Sequence, residues 1–93
     1  HSVAVEVEEY KSPDEYPERD VLYIRANLVV EREGQKTILI GKKGSKIKKI
    51  GSFARSDIET MTGHRVFLDL WIKVRPAWRK SEGELWRMGY IER

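Results

Sequence analysis

The stretch Ile38-Leu39-Ile40-Gly41-Lys42-Lys43-Gly44-Ser45-Lys46-Ile47 limits this chain more than any other. An apolar run enters it, two glycines bracket two lysines, and an amphipathic pattern leaves it. Ile47, Ile50, Ala54, Ile58 and Met61 recur at helical spacing, which predicts a helix over Ser45 to Thr62. A glycine lets the backbone turn sharply and come close to a ligand. The second glycine also opens the helix, whose first N–H groups lack internal partners and point at anions. With Lys42 and Lys43 at the tip, the anion that fits is a phosphate. The bland alternative is an ordinary corner between two helices with solvated lysines.

Charge is distributed to match. Residues 1–20 carry a net −5, residues 21–56 a net +7 and residues 57–93 a net +1. A polyanion would therefore dock on the middle block. Ninety-three residues make one domain with a modest core and little room for a deep enzyme cleft. The absence of cysteine rules out disulfides and thiolate chemistry. No apolar run approaches the ~18 residues of a membrane-spanning helix, and no signal-peptide pattern is present. His1 stands where an initiator methionine would, so the expectation is a piece of a longer chain.

Around the turn the pattern reads as strands and helices. Val3, Val5 and Val7 alternate with Ala4, Glu6 and Glu8, which predicts a half-buried strand with an acidic outer face. Ser12 to Pro17 reads as a surface loop. Val21 to Glu33 is a long strand candidate, with Leu22, Ile24, Ala26, Leu28 and Val30 on one face and Gly34 breaking it. Gly51 inside the second helix costs about 1 kcal/mol relative to alanine, and Gly63 is placed to end that helix. Arg65 to Val74 is a third strand, with Val66, Leu68, Leu70, Ile72 and Val74 inward. Ser81 and Glu84 have capping-box spacing before Leu85, Trp86 and Met88, a short terminal helix closed by Gly89. Helices thus connect the second and third strands. The expected fold is α+β, a three-stranded mixed sheet with helices mainly on one face, in the order β-β-α-α-β-α.

Gly-x-x-Gly between two helices is the signature of the KH module, which clamps about four nucleotides of a single strand. Ile40-Gly41-Lys42-Lys43-Gly44-Ser45-Lys46-Ile47 resembles the fuller Ile-Gly-x-x-Gly-x-x-Ile core of that family. Leu28 to Lys36, Leu70-Trp71-Ile72-Lys73-Val74, Trp78 and Met88-Gly89-Tyr90 extend the likeness over essentially the whole chain. Together they resemble the C-terminal type II KH domain of Era-like bacterial GTPases. The resemblance implies a short helix from Gln35 to Ile40 ending at Gly41. It also implies single-stranded RNA as partner, namely the 3′ end of 16S ribosomal RNA in small ribosomal subunit assembly. A cytoplasmic monomer is expected, with peripheral membrane association of the parent protein left open. No Gly-x-x-x-x-Gly-Lys-Ser/Thr phosphate loop occurs, so no cofactor is expected here. GTP and magnesium would belong to a GTPase domain outside residues 1–93.

The expected RNA-binding residues are Ile40, Gly41, Lys42, Lys43, Gly44, Ser45, Lys46, Ile47 and Lys49, with Val30 beside Ile40 and Ile47 as an apolar floor for bases. Lys46 and Lys49 are favoured over Lys48 for phosphate contact. His64 has no ligand partners at metal spacing and reads as a solvated loop residue. Trp71 and Trp78 read as packing residues before base-stacking ones. No nucleophile–base–orienter set can be assembled, so the chain is not expected to be an enzyme. Two other classes compete: a duplex DNA-binding helix-turn-helix over residues 35–62, and a protein-interaction module with an incidental basic patch. Against the first, Ser45-Lys46-Ile47-Lys48-Lys49 offers no Asn, Gln or Arg at the helix start for base edges.

Overall fold

A computed structural model describes residues 3–76. Strand β1 (Ala4–Lys11) pairs antiparallel with β2 (Val21–Val30). Helices α1 (Glu33–Ile40) and α2 (Ser45–Thr62) follow, joined by a tight turn over Lys42–Gly44. Strand β3 (Arg65–Val74) then pairs parallel with β2, giving the sheet order β1-β2-β3. The expected mixed sheet and the order β-β-α-α-β are present. The terminal helix predicted from Ser81 to Gly89, and Trp78, lie outside the described residues.

The core sits between β2, β3 and α2. Leu22, Ile24, Ala26 and Val66 form a buried cluster, and Ile58, Leu68 and Leu70 pack against it. These residues alternate along both strands because the parallel register sets Leu22 beside Val66, Ile24 beside Leu68 and Ala26 beside Leu70. Along α2 the half-buried stripe is Ile47, Ile50, Ala54 and Ile58. Met61, one turn further on, is exposed, because Ile58 is the last stripe position that reaches the cluster. Gly63 ends α2 in a left-handed conformation, its N–H donating to the Glu59 carbonyl at 2.9 Å.

Two sequence expectations change. Strand β2 stops at Val30 instead of running to Glu33, and Gly34 lies inside α1. The Gln35 side chain explains the early stop. Its Oε1 accepts from the N–H groups of Glu31 and Arg32 at 3.0 and 2.9 Å, which turns the chain out of the ladder and into the helix.

In β1 the burial, not the facing, is reversed: Val5 and Val7 are 55% and 57% exposed, while Glu6 is only 6% exposed and Ala4 is buried. Val5 and Val7 do share the helix-side face, opposite Leu28 and Ala26. They lie at the sheet's edge, beyond the cover that α2 gives β2 and β3. Glu6 faces the other way, opposite Asn27, and is drawn in by hydrogen bonds. Arg75 donates to both of its oxygens at 2.7 and 3.1 Å, and Asn27 Nδ2 donates at 2.9 Å. A bulge between Val7 and Glu9 then shifts the register, placing Glu8 beside Arg25 at 3.3 Å.

The bidentate Arg75 guanidinium, first among the causes, holds the Glu6 carboxyl below the ordinary glutamate range against the opposing effect of burial. A depressed carboxyl stabilises the fold above its unfolded-state pKa, and that contribution is lost as pH falls through the folded-state value. Glu6→Gln should therefore cost about 1–2 kcal/mol at neutral pH, a modest value because Arg75 is partly solvated. Its melting temperature should converge on the unsubstituted protein's as pH is lowered below about 4. Thermal melts by circular dichroism across that range check this. Parallel curves for the two proteins would show that the network adds no pH-dependent stability.

Candidate nucleic-acid interface

The turn between the helices is held by its backbone. Gly41 has φ 73 and ψ 179, Lys43 φ 55 and ψ 29, and Gly44 φ 76 and ψ 13. Gly41 is needed for space as well as conformation. A Cβ there would meet Lys46 Cβ at 2.7 Å and Lys46 N at 3.0 Å, so the bare backbone lets the start of α2 close against the end of α1. Lys43 is the only non-glycine with positive φ among the described residues, and a left-handed L-residue costs about 1–2 kcal/mol. Strain of this kind persists where the surroundings hold it and clusters at ligand clamps.

The turn presents Lys42, Lys43, Ser45 and Lys46 to solvent. Within it, Gly44 N–H donates to the Gly41 carbonyl at 3.2 Å and Ser45 N–H to the Lys42 carbonyl. Those two amides are used internally, so the lysine ammonium groups supply most of the charge offered. Gly44 caps α2 without a side chain.

From the turn a groove of about 420 Å³ runs between α2 and β3. One wall is Ile47, Lys48, Gly51, Ser52 and Arg55; the other is β3 from Val66 to Leu70. Ile47, Gly51 and Arg55 are four residues apart, so they share one face of the helix. Nothing lies within 4 Å of a Cβ built on Gly51. That glycine leaves the groove open, and no other backbone among the described residues approaches closely enough to require it. Val66 N–H donates to Glu59 Oε2 at 2.9 Å, away from β2. Backbone groups alternate sides along a strand, so the N–H and C=O of Leu68 and Leu70 also point to the free edge of β3. No strand among the described residues pairs with that edge, so its donors and acceptors sit beside apolar Leu68, Leu70 and Ile47.

The expected residues divide. Gly41 to Lys46 form the turn, and Ile47 joins the groove wall. Ile40 is half-buried at the end of α1. Lys49 is exposed on a different side of α2, with Phe53 and Ser56, whereas Lys48 lines the groove. Val30 has no exposed surface and cannot be a floor for bases, because it lies in the central strand opposite Val74. Leu68 and Leu70 take that place. Arg55, Gly51 and Ser52 were not foreseen, although their spacing from Ile47 was visible. His64 is not a lone solvated residue: its Nε2 lies 3.1 Å from Asp14 Oδ1, tying the β1–β2 loop to the α2–β3 loop.

Two helices joined by this turn and a parallel edge strand make a type II KH arrangement, and the family profile described as "KH domain" matches residues 1–79. The chain belongs to the KH domain family. Among solved structures it is similar to Era in complex with MgGDPNP and nucleotides 1506–1542 of 16S ribosomal RNA, at 41% identity and a TM-score of 0.82. It is equally similar, at 41% and 0.82, to a variant of Aquifex aeolicus Era bound to GDP and aluminium fluoride. In both cases the match covers 98% of this chain but 30% of the Era chain.

Gly51 gives a test that separates fold from site. Gly51→Ala should raise stability by about 0.5–1 kcal/mol, since alanine is the better helix former and the space is empty. The same methyl group narrows the groove, so affinity for a single strand should fall. Thermal melts and binding titrations on one preparation check both. A rise in stability with unchanged affinity would place the ligand elsewhere.

Proposed function

We propose that this chain is the single-stranded RNA-binding domain of an Era-like GTPase, and that it recognises the 3′ end of 16S ribosomal RNA during small ribosomal subunit assembly. One observation carries the reading: a strained lysine turn leads into a groove whose far wall is a strand edge that no strand among the described residues pairs. The Era structure bound to 16S nucleotides 1506–1542 supports the choice of RNA. The domain binds and makes no bonds. GTP hydrolysis belongs to the part of Era-like proteins beyond the 30% that this chain matches. The cytoplasm is the compartment in which such an RNA would be met.

The mechanism follows from the parts. Lys42, Lys43 and Lys46 hold consecutive phosphates at the turn. The bases then lie against Ile47, Leu68 and Leu70. The Leu68 and Leu70 backbone groups meet the edges of those bases, which a duplex would keep paired inside. Lys48 and Arg55 supply charge along the helix wall.

Lys42→Asp with Lys43→Asp should abolish binding and leave the fold intact, because exposed positions usually change stability by no more than about 0.5 kcal/mol. Retained affinity with a normal circular dichroism spectrum would refute the clamp. The ligand class is tested by salt titrations, read by fluorescence anisotropy, on a 3′ ribosomal RNA segment alone and annealed to its complement. If about three phosphates are neutralised, the single-strand slope of log K against log salt should be near −2. The unpaired strand should bind more tightly throughout. Tighter duplex binding with a slope several units steeper would favour a helix-turn-helix instead.

A further inference from the structure

The outer face of β3, away from the helices, has its own order. Alternate residues there are Arg65, Phe67, Asp69, Trp71 and Lys73: a cation, an aromatic, an acid, an aromatic and a cation. Phe67 and Trp71 are 58% and 49% exposed. Neither ring is loose. Tyr23 stacks against Phe67 with ring centroids 5.7 Å apart, and the Arg25 guanidinium lies 5.5 Å from the Trp71 ring centre. The neighbouring acids are engaged locally. Asp69 accepts from the Tyr23 hydroxyl at 3.4 Å, and Glu8 pairs with Arg25. The face is therefore not a repulsive acidic surface, and Arg65 is exposed at one end of it.

Aromatic rings held rigid between cations are the platform on which unpaired bases stack. Continuity decides the occupant here. Phe67 and Asp69 also line the rim of the groove, so the same strand bounds both surfaces. We infer that a strand longer than the groove crosses the free edge of β3 and stacks its flanking bases on Phe67 and Trp71. The domain thus has a second, sequence-tolerant subsite for single-stranded nucleic acid. This inference rests on the groove being a single-strand site. Unlike the groove, the outer face offers no open backbone edge, so it adds affinity through ring faces and selects little by base identity.

The test compares randomised RNA pools of four and nine nucleotides, end-labelled, by anisotropy against the whole chain. A longer strand offers about six registers for a short site, so a gain of roughly sixfold needs no new contact. The expected gain is well beyond that, with about tenfold more for each ring used. Trp71→Ala, a position outside the groove lining, should cut the excess for the longer pool about tenfold and leave the shorter pool unchanged, while Trp71→Phe should keep most of it. A length gain in the unsubstituted protein no larger than the register count overturns the inference without any variant. So does a full gain retained in Trp71→Ala. If the four-nucleotide pool does not bind at all, the groove reading fails and takes this inference with it. Binding of the short pool without the length effect leaves the groove reading standing and removes only the outer subsite.

Discussion

The parallel pairing of β2 with β3 is the constraint from which the rest follows. Parallel neighbours cannot be joined by a tight hairpin, so a crossover of a dozen or more residues must carry the chain back along the sheet. Here that crossover is α1, the glycine-bracketed turn and α2. It places the helices on one face and buries Leu22, Ile24, Ala26 and Val66 beneath α2. It also leaves β3 as an edge, with no strand among the described residues pairing its outer side. The groove is the space between that edge and the returning helix. Groove and core are thus two sides of one topological decision.

Close approach at Gly41 sets how tightly the crossover folds. Its backbone touches the first turn of α2 with no room for a side chain, so the two helices meet at a fixed angle and the lysines project from the corner. The left-handed Lys43 is the cost of that corner, and the packed helices hold it in place.

Much of this was legible in the sequence. The turn, α2 and β3 announced themselves because glycine positions and hydrophobic periods are local signals. The failures share a physical cause: local alternation does not report which layer covers a strand. Val5 and Val7 alternate as a buried face would, yet they stand at an edge that the helices do not reach. Glu6 looks like a surface residue, but Arg75, far away in sequence, brings it in. Val30 seemed adjacent to the turn because it precedes it in sequence, whereas the fold puts β3, not β2, beside the groove. Arg55 and Leu68 become neighbours only when the crossover closes, which no single segment encodes. Gly34 misled because the polar cap formed by Gln35, and not the glycine, ends β2.

The geometry at Lys43 bears on kinetics. Its left-handed backbone is adopted during folding, so a strand arriving at the turn meets a backbone already set in the shape that projects the lysines. No loop has to search for its bound shape, so the ordering entropy that a flexible basic loop would lose on binding is spent beforehand. Encounter is then governed by diffusion and by the field of the basic block from residue 21 to residue 56, which salt attenuates. Under the proposed function, residence time is governed separately, by the apolar wall and strand edge further along, which salt affects much less. On that same function the domain is quick to catch a single strand in dilute salt and still holds it for as long as the bases remain unpaired.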